Sequence, residues 1–349
     1  MSQIEKEIYS QPAVLERLLA RESKRTRKIG ASIKRSAKRS AVRTVFMVAR
    51  GSSDNAGLYG KYLFGARNSL VTAMAAPSLF TLYKQPPDLS GCLVLAISQS
   101  GASKDLGRVL EEARRQGSRT LVITNTPGSP LADLADDVIP LHAGVERSVA
   151  ATKSYTAQLL SLAMLSVALR GSEKDIEKLA RVPQALQAVL DGAEPIAAAA
   201  ERYRYMQRLA VIGRGYNYST AFELSLKLKE LAYLNAEPSS SADFRHGPIA
   251  VVEEGFPVML IAPSGKTLAD MLALAGALSK RRAELIVISD NKRLRAQATT
   301  PLAYGSGLPE WLSPLLAVVP GQLFAMHLAA ARGCPLDKPR GLTKVTVTY

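Results

Sequence analysis

The strongest constraint on the fold of this 349-residue chain is an internal duplication. An apolar run of strand type leads into a turn at Gly51, and a second run leads into a similar turn at Gly215, 164 residues later. The same distance separates Gly101 from Gly265, which each follow an apolar run in a Ser-Gly turn. A third pair of runs, LVITN and IVISD, follows at nearly the same spacing. Features that repeat at one offset predict two copies of a single fold.

In each half, short runs rich in β-branched residues alternate with longer segments of helical pattern. This alternation predicts parallel strands joined by right-handed crossover helices that cover both faces of a sheet. We therefore expect an α/β fold of two tandem, doubly wound, flavodoxin-like domains with parallel sheets. The expected segments are a basic helical N-terminal segment, the first domain, the second domain and a C-terminal tail: residues 1–42, 43–175, 200–330 and 331–349.

Hydroxyl-rich turns follow two of the apolar runs in the first half. The SQSGAS loop at residues 98–103 joins a predicted buried strand to a predicted helix, and Ser52 and Ser53 close the neighbouring run. Hydroxyl groups, a glycine that permits close approach and the free N–H groups of a helix start all suit an anion. Because the carboxyl ends of parallel strands meet at one edge of the sheet, these turns predict a phosphate site.

The spacing of a P-loop, G-x-x-x-x-G-K-[ST], does not occur at the SQSGAS loop, so ATP binding is not predicted. The corresponding turn of the second half, PSGKT, has fewer hydroxyl groups and a proline. We expect this second turn to bind no phosphate.

The chain is basic, with a formal net charge of +15. Between Arg17 and Arg43 it has eleven Lys or Arg residues and a single acidic residue, Glu22. No aromatic residues interleave with these cations and no nucleic-acid recognition motif follows them. The pattern therefore favours a solvated helical face that attracts anionic substrates, and argues against nucleic acid as a partner.

Cysteine content and hydropathy exclude further classes of protein. Cys92 and Cys334 have no metal-type spacing, so neither a disulfide framework nor a zinc site is predicted. The N-terminus has no apolar signal segment, and the longest apolar stretch, residues 315–331, contains Pro320 and His327, which is typical of a buried helix. We expect a soluble, cytoplasmic protein without a membrane partner.

Seven motifs carry a resemblance to a known family. They are RGSS, SQSGAS, NTPGSPLA and ERSVAATKSYT in the first half, and LKLKE, RHGP and PRGLTKVTV in the second. In this order they resemble the double-SIS sugar-phosphate isomerases, and the likeness extends from about residue 7 to residue 349. This family includes the isomerase half of glutamine–fructose-6-phosphate aminotransferase and the SIS-type glucosamine-6-phosphate deaminases.

The resemblance implies a set of residues that hold the sugar phosphate. The phosphate-binding positions are Ser53, Ser98, Gln99, Ser100 and Ser103. Further substrate-binding positions are Ser52, Val149, Ala151 and Arg340, with Val149 and Ala151 contributing their backbone. The family's aminotransferases have Thr at the position of Ser103, which keeps the hydroxyl group. They have Ser at the position of Ala151, so that side-chain contact is missing here.

The resemblance also implies the catalytic groups. Glu230 matches the base that moves a proton between carbons 1 and 2. His246 matches a histidine that opens the ring of the sugar bound in the partner subunit's site. Lys344, in the C-terminal tail, matches a lysine that forms a Schiff base with a ketose, and Lys227 matches a further active-site lysine. From residue pattern alone, Lys227 and Glu230 share one helical face but could form an exposed ion pair, and His246 could be a solvated loop histidine.

These roles lead to an expected function. The first expectation is a glucosamine-6-phosphate deaminase that yields fructose 6-phosphate and ammonia, with a phosphorylated hexosamine as substrate, no cofactor and no metal. Only about 40 residues precede the first sugar domain, so no glutaminase domain is expected within this chain. The alternatives are an aminating ketose–aldose isomerase of the aminotransferase type, a fructosamine-phosphate deglycase and a non-catalytic sugar-phosphate sensor. The resemblance further implies a homodimer in which His246 reaches the partner's site.

Overall fold

The protein is described by a computed structural model that covers residues 1–36, 42–305 and 307–344. Its strands form two five-stranded parallel sheets. The first sheet consists of β1 (Thr44–Val48), β2 (Val71–Met74), β3 (Cys92–Ser98), β4 (Arg119–Thr124) and β5 (Asp137–Pro140). The second consists of β6 (Arg208–Gly213), β7 (Asn235–Ser240), β8 (Pro257–Ile261), β9 (Glu284–Ser289) and β10 (Thr300–Ala303).

The helices connect and flank these strands. The first ten are α1 (Gln3–Tyr9), α2 (Gln11–Ser36), α3 (Ser52–Asn68), α4 (Ser78–Thr81), α5 (Lys104–Arg115), α6 (Pro130–Asp133), α7 (Lys153–Arg170), α8 (Glu173–Ala180), α9 (Val182–Asp191) and α10 (Pro195–Glu201). The others are α11 (Tyr218–Ala232), α12 (Ser241–Arg245), α13 (Leu268–Lys280), α14 (Lys292–Arg295) and α15 (Ser313–Ala331). Short 3-10 helices lie at Gly215–Asn217, Pro248–Val251 and Glu310–Leu312.

The two sheets have the same topology, which confirms the predicted duplication and fold class. The strand order is β2-β1-β3-β4-β5 in the first sheet and β7-β6-β8-β9-β10 in the second. In each sheet, the first strand of the repeat lies between the second and the third. The second strand is added on one side of the first and the later strands on the other side, so the direction of winding reverses between the first and third strands. Ligands of open parallel sheets bind at such a reversal, outside the carboxyl ends of the strands.

Internal contacts divide the chain into two compact units. Among the described residues, the first-half unit contains residues 13–146 and 153–180, and it includes β1 to β5. The second-half unit contains residues 1–12, 147–152 and 181–344, and it includes β6 to β10. The short segment 147–152 thus belongs by its contacts to the unit that contains the N-terminal helix α1. The domain boundaries expected from sequence remain predictions.

Continuous apolar runs make the central strands of each sheet. In β3, all residues from Leu93 to Ser98 are buried, and in β8 all residues from Val258 to Ile261 are buried. Strands buried on both faces need apolar residues at successive positions, which is why the sequence shows runs rather than alternation. One face of the first sheet is covered by α5 through Leu106, Val109 and Leu110.

Two long helices are buried rather than amphipathic. In α7, residues 153–167 are all buried, and in α15 all but a few residues near its end are buried. One helical stretch among the described residues, Glu310–Ala331, has the length and hydropathy of a membrane span, and 83% of it is buried inside the fold. The sequence prediction of a buried helix at residues 315–331 is confirmed.

Helix α15 packs against α11 at a glycine. A Cβ atom added to Gly321 would lie 2.3 Å from Leu224 Cδ1, so a larger residue cannot enter without displacing Leu224. Leu224 is buried on α11, the helix that carries Lys227 and Glu230. The glycine therefore sets how closely the core helix approaches the helix of the expected catalytic residues.

We predict that Gly321→Ala destabilises the protein by about 1–3 kcal/mol, because the added methyl group overpacks a closed core. The matched control is Gly276→Ala in α13, where an added Cβ atom would meet nothing within 4 Å. There the substitution should be neutral or stabilise the helix by up to about 1 kcal/mol, because alanine loses less backbone entropy than glycine. Free energies of unfolding from denaturant titration measure both, and equal effects for the two variants contradict the packing argument.

Candidate active site

The expected phosphate residues lie at the carboxyl edge of the first sheet, on the turns after β1 and β3. These two strands are hydrogen-bonded neighbours, so the RGSS and SQSGAS turns leave the same edge side by side. Arg50 links them, because its Nε and Nη2 atoms lie 2.8 and 2.7 Å from Asp105 Oδ2 at the start of α5. Asp105 is buried, so the pair joins the two turns firmly.

The SQSGAS turn has a conformation that requires glycine. Gly101 has a φ of +66°, and a Cβ atom at this position would lie 1.9 Å from Ser129 Oγ. Ser98 Oγ accepts a hydrogen bond of 3.1 Å from Gly101 N, and Ser100 Oγ accepts one of 3.3 Å from Ala102 N. As acceptors in these bonds, both hydroxyl groups keep their protons for a ligand.

The remaining expected phosphate residues surround this turn. Ser103 precedes α5 as its N-cap residue but makes no side-chain bond to the helix, and Gln99 is half-buried. Ser53 is buried, and its Oγ atom accepts a bond of 2.9 Å from Gln158 Nε2 on α7. Beside them, burial raises the pKa of Asp54, an effect that the Arg50 charge opposes. The first-half unit thus brings together the five main positions that the resemblance implied.

One hydroxyl group at this edge escaped the sequence analysis. Ser129 is 2% exposed, and its Oγ atom lacks a hydrogen-bond partner among the described residues. It lies directly beneath Gly101, in the NTPGSPLA motif after β4. The motif had been noted only for its family likeness, since the pattern does not tell which of its residues faces the turn.

The corresponding turn of the second sheet is filled by the protein's own carboxylates. Ser264 N donates to Asp290 Oδ1 at 2.6 Å, and Lys266 N donates to Glu310 Oε2 at 2.8 Å. Thr267 also donates to Glu310, from its amide and from its hydroxyl group, at 3.4 and 3.0 Å to Oε1. The hydrogen-bond donors of the second turn are therefore already bound to Asp290 and Glu310. The number of hydroxyl groups in the sequence did not predict these bonds.

Helix α11 carries the expected acid–base residues. Lys227 Nζ lies 2.5 Å from Glu230 Oε2 and 3.5 Å from Glu223 Oε1. The side chains of Lys227 and Glu223 are 1% and 0% exposed, whereas that of Glu230 is 21% exposed. The pair is thus not the exposed ion pair that the pattern also allowed. Glu223 was not predicted, although its i, i+4 spacing to Lys227 was visible in the sequence.

The C-terminal tail docks on the same unit. Lys344 Nζ donates a hydrogen bond of 2.6 Å to Ser148 O, in the segment that contains Val149 and Ala151. Arg340 stacks on Tyr233, with its Cζ atom 4.1 Å from the ring centroid, and its amide donates to the Tyr233 hydroxyl at 2.8 Å. Tyr233 ends α11, so the tail is fixed to the helix of Lys227 and Glu230.

His246 belongs to a different element from these groups. It is exposed at the C-terminal end of α12. The preceding Arg245 is held by Asp270 of α13, with Nη1 2.6 Å from Oδ1. Burial by itself raises the pKa of Asp270, but hydrogen bonds from Ser241 and Arg245 hold it below its ordinary value. The ionised carboxylate thereby anchors the short helix before His246.

Among the described residues, no three His, Cys, Asp or Glu side chains come together as metal ligands. The expectation that the protein uses no metal and no cofactor stays a prediction.

Comparison with known proteins identifies the family. The SIS domain matches twice, at residues 40–168 and 203–332. The glutamine–fructose-6-phosphate aminotransferase of Thermus thermophilus is 35% identical over 98% of this chain, and that of Thermococcus kodakarensis is 36% identical over 98%. The chain spans 58% and 57% of the length of these two relatives.

Solved structures agree on the fold. The C-terminal domain of the glucosamine–fructose-6-phosphate aminotransferase of Francisella tularensis superposes with a TM-score of 0.87 and 25% identity, covering 97% of this chain and 98% of that one. A glucosamine-6-phosphate deaminase of Thermotoga maritima superposes with a TM-score of 0.75 at 23% identity, covering 99% of this chain and 100% of that one. At that identity the deaminase supports the fold alone.

These relatives change the order of the functional expectations. The aminating isomerase, which the sequence analysis kept as an alternative, fits the aminotransferase relatives better than the deaminase that it placed first. The two domain matches together cover most of the chain, as the duplication predicted. The protein belongs to the SIS domain family and carries two copies of the domain.

Proposed function

We propose that this protein is a sugar-phosphate isomerase that aminates a ketose 6-phosphate, as expected for the isomerase half of a glutamine–fructose-6-phosphate aminotransferase. The observation that carries the proposal is the buried Lys227 on α11, held between Glu223 and the partly exposed Glu230. Glu230 is the carboxylate of the two that solvent and a bound sugar can reach, as a general base requires. The proposed substrates are fructose 6-phosphate and ammonia, and the proposed product is glucosamine 6-phosphate.

The proposed reaction moves one proton. Lys344 Nζ adds to the carbonyl group at carbon 2 of the open-chain ketose and water leaves, which gives a Schiff base. Ammonia then adds to the same carbon and the Lys344 amine leaves, which gives the ketimine of the free sugar phosphate. Glu230 takes a proton from carbon 1 and returns it to carbon 2, so that the carbon 1 aldehyde and the carbon 2 amine of the aldose result. In the proposal, Lys344 holds the ketose through this Schiff base, Lys227 forms the ion pair with Glu230, and His246 assists ring opening.

The phosphate is proposed to bind the first-half turns alone. The main phosphate contacts are Ser53, Ser98, Gln99, Ser100 and Ser103. Further contacts to the substrate are proposed for Ser52, Val149, Ala151 and Arg340. The contrast between the two turns supports this assignment. The donors of the second turn already bind Asp290 and Glu310, and a phosphate there faces two carboxylates.

A second candidate is the reverse reaction, release of ammonia from glucosamine 6-phosphate. Both directions need the same base and the same phosphate site, because they share one enolamine intermediate. The two are separated by assay: one measures glucosamine 6-phosphate formed from fructose 6-phosphate with ammonium ions or with a glutaminase as ammonia source, and the other measures ammonia released from hexosamine 6-phosphates. Binding without turnover in either assay supports the sensor alternative.

We predict that Ser98→Ala weakens binding of fructose 6-phosphate by about 1–3 kcal/mol, because a hydrogen bond to a charged phosphate is lost. The matched control is Ser264→Ala in the second-half turn, which should leave the affinity unchanged. Calorimetric titration of the two variants and the wild type measures the difference. An equal loss in both variants, or phosphate density at residues 264–267 in a soaked crystal, contradicts the assignment.

We predict that Glu230→Gln lowers kcat by about 100- to 10,000-fold while affinity for the sugar phosphate is kept. The amide has the shape of the carboxylate but cannot accept the proton. The control is Glu237→Gln, an exposed carboxylate of β7, which should leave kcat unchanged. Full turnover by Glu230→Gln excludes it as the base.

The same variant tests the proposed homodimer. If His246 serves the site of the partner subunit, mixing inactive Glu230→Gln and His246→Ala proteins should restore part of the activity, because a mixed dimer has one complete site. Absence of recovery after demonstrated subunit exchange contradicts the shared site.

A further inference from the structure

The N-terminal helix α1 contains a buried carboxylate that the proposed reaction does not use. Glu7 is 2% exposed. Its Oε1 atom accepts a hydrogen bond of 2.5 Å from Arg147 N, and its Oε2 atom accepts one of 3.3 Å from Ser148 N. Burial of a charged carboxylate is costly unless donors replace water, and here the backbone of a remote segment supplies them.

Helix α1 is itself fixed at its other end by the C-terminal tail. The carboxylate of Asp337 accepts hydrogen bonds from Gln3 N at 3.0 Å and from Ile4 N at 2.9 Å. These are N–H groups of the first turn, which have no partner within the helix, and a negative charge there also interacts favourably with the helix dipole. Ile4 and Ile8 are fully buried, and α1 contacts α15. The helix is therefore a rigid support for Glu7.

The segment that Glu7 holds is also the one that receives the tail lysine. Ser148 makes both bonds, because its N–H group donates to Glu7 and its carbonyl oxygen accepts from Lys344 Nζ at 2.6 Å. The following residues include Val149 and Ala151, the proposed sugar contacts. The contacts therefore form a closed series that begins and ends in the tail. Asp337 binds α1, Glu7 of α1 binds Ser148, and Ser148 binds Lys344.

We infer that Glu7 is a positioning residue, which sets the place of residues 147–152 and, through Ser148, of the Lys344 amine. This inference rests on the proposed function for the roles of Lys344, Val149 and Ala151, but not for the contact itself. Glu7 acts through the backbone of another segment and is not proposed to touch the substrate. Its loss should therefore lower kcat through the misplaced amine, with a smaller effect on binding by the serines of the first-half turn.

The first experiment measures steady-state kinetics of Glu7→Ala and Glu7→Gln with fructose 6-phosphate and ammonium ions. We expect kcat to fall by about 10- to 100-fold in Glu7→Ala, the effect of removing hydrogen bonds to a charged group. The fall should be smaller in Glu7→Gln, because the amide oxygen still accepts one bond. The control is Glu16→Gln, an exposed carboxylate on α2, which should behave as the wild type.

The second experiment measures hydrogen exchange at the Arg147 and Ser148 amides without substrate. Loss of Glu7 should speed their exchange at least about 10-fold, because the acceptor that protects them is gone. Asp337→Asn should produce the same changes more weakly. The effects of Glu7→Gln and Asp337→Asn on kcat should not be additive in the double variant, because both act through α1.

The outcomes separate the inference from the proposed function. Faster exchange together with a lower kcat at unchanged melting temperature supports the positioning role. Faster exchange with an unchanged kcat overturns it, and so does unchanged exchange in the variants. If the wild type turns over no sugar phosphate, the proposed function fails, and exchange at these two amides still decides whether Glu7 holds the segment. If Glu7→Ala does not fold, Glu7→Gln and Asp337→Asn decide by the same measurements.

Discussion

The arrangement of the second-half unit depends on two ion pairs within α11. In these, the buried ammonium group of Lys227 lies between the carboxylates of Glu223 and Glu230. A lysine that is 1% exposed is tolerated only with a counter-ion, and Glu230 at 2.5 Å and the fully buried Glu223 at 3.5 Å both supply one. Of these two carboxylates, Glu230 at 21% exposure is the one that solvent reaches. Helix α15 packs closely against α11, and Gly321 permits this approach because it has no side chain to meet Leu224.

The two SIS copies share a topology but differ in how they treat the same turn. In the first copy, the hydroxyl groups of Ser98 and Ser100 in the turn after β3 accept hydrogen bonds from the backbone of the turn itself. In the second copy, the turn after β8 binds the carboxylate of Glu310. A parallel sheet places backbone donors at this edge in every copy, so one carboxylate from a neighbouring element is enough to remove a site. The two copies thus share one backbone arrangement, and in the second copy the donors of this turn are bound by the protein's own carboxylates.

Residues 147–152, which belong to neither sheet, are held by side chains from near both ends of this sequence. Residues 147–152 have no regular hydrogen-bond partners of a strand or a helix, and a loop of this kind needs side chains to satisfy its backbone. Glu7 and Lys344 do so from opposite termini of the sequence, at the N–H and C=O groups of Ser148.

The sequence by itself determined the parts of this protein that depend on local pattern. The offset between repeated turns predicted two copies, the apolar runs predicted buried parallel strands, and the position of Gly101 in SQSGAS marked a turn that only glycine allows. Family motifs predicted which residues of the first turn cluster at one edge. Each of these is a property of a short stretch of chain, because strand burial and turn conformation depend on neighbouring residues.

Tertiary structure alone decided the contacts between distant segments. Glu310 lies 44 residues from Lys266, and Glu7 lies 141 residues from Ser148, so no periodicity in the sequence connects them. The buried state of Lys227 likewise depends on the packing of α11 against distant elements such as α15, since the i, i+3 spacing to Glu230 is the same in an exposed ion pair. The residue pattern of a helix or strand predicts which face of that element a side chain occupies. It does not predict which residue the side chain contacts there, because that residue comes from another element that packs against it only in the folded chain.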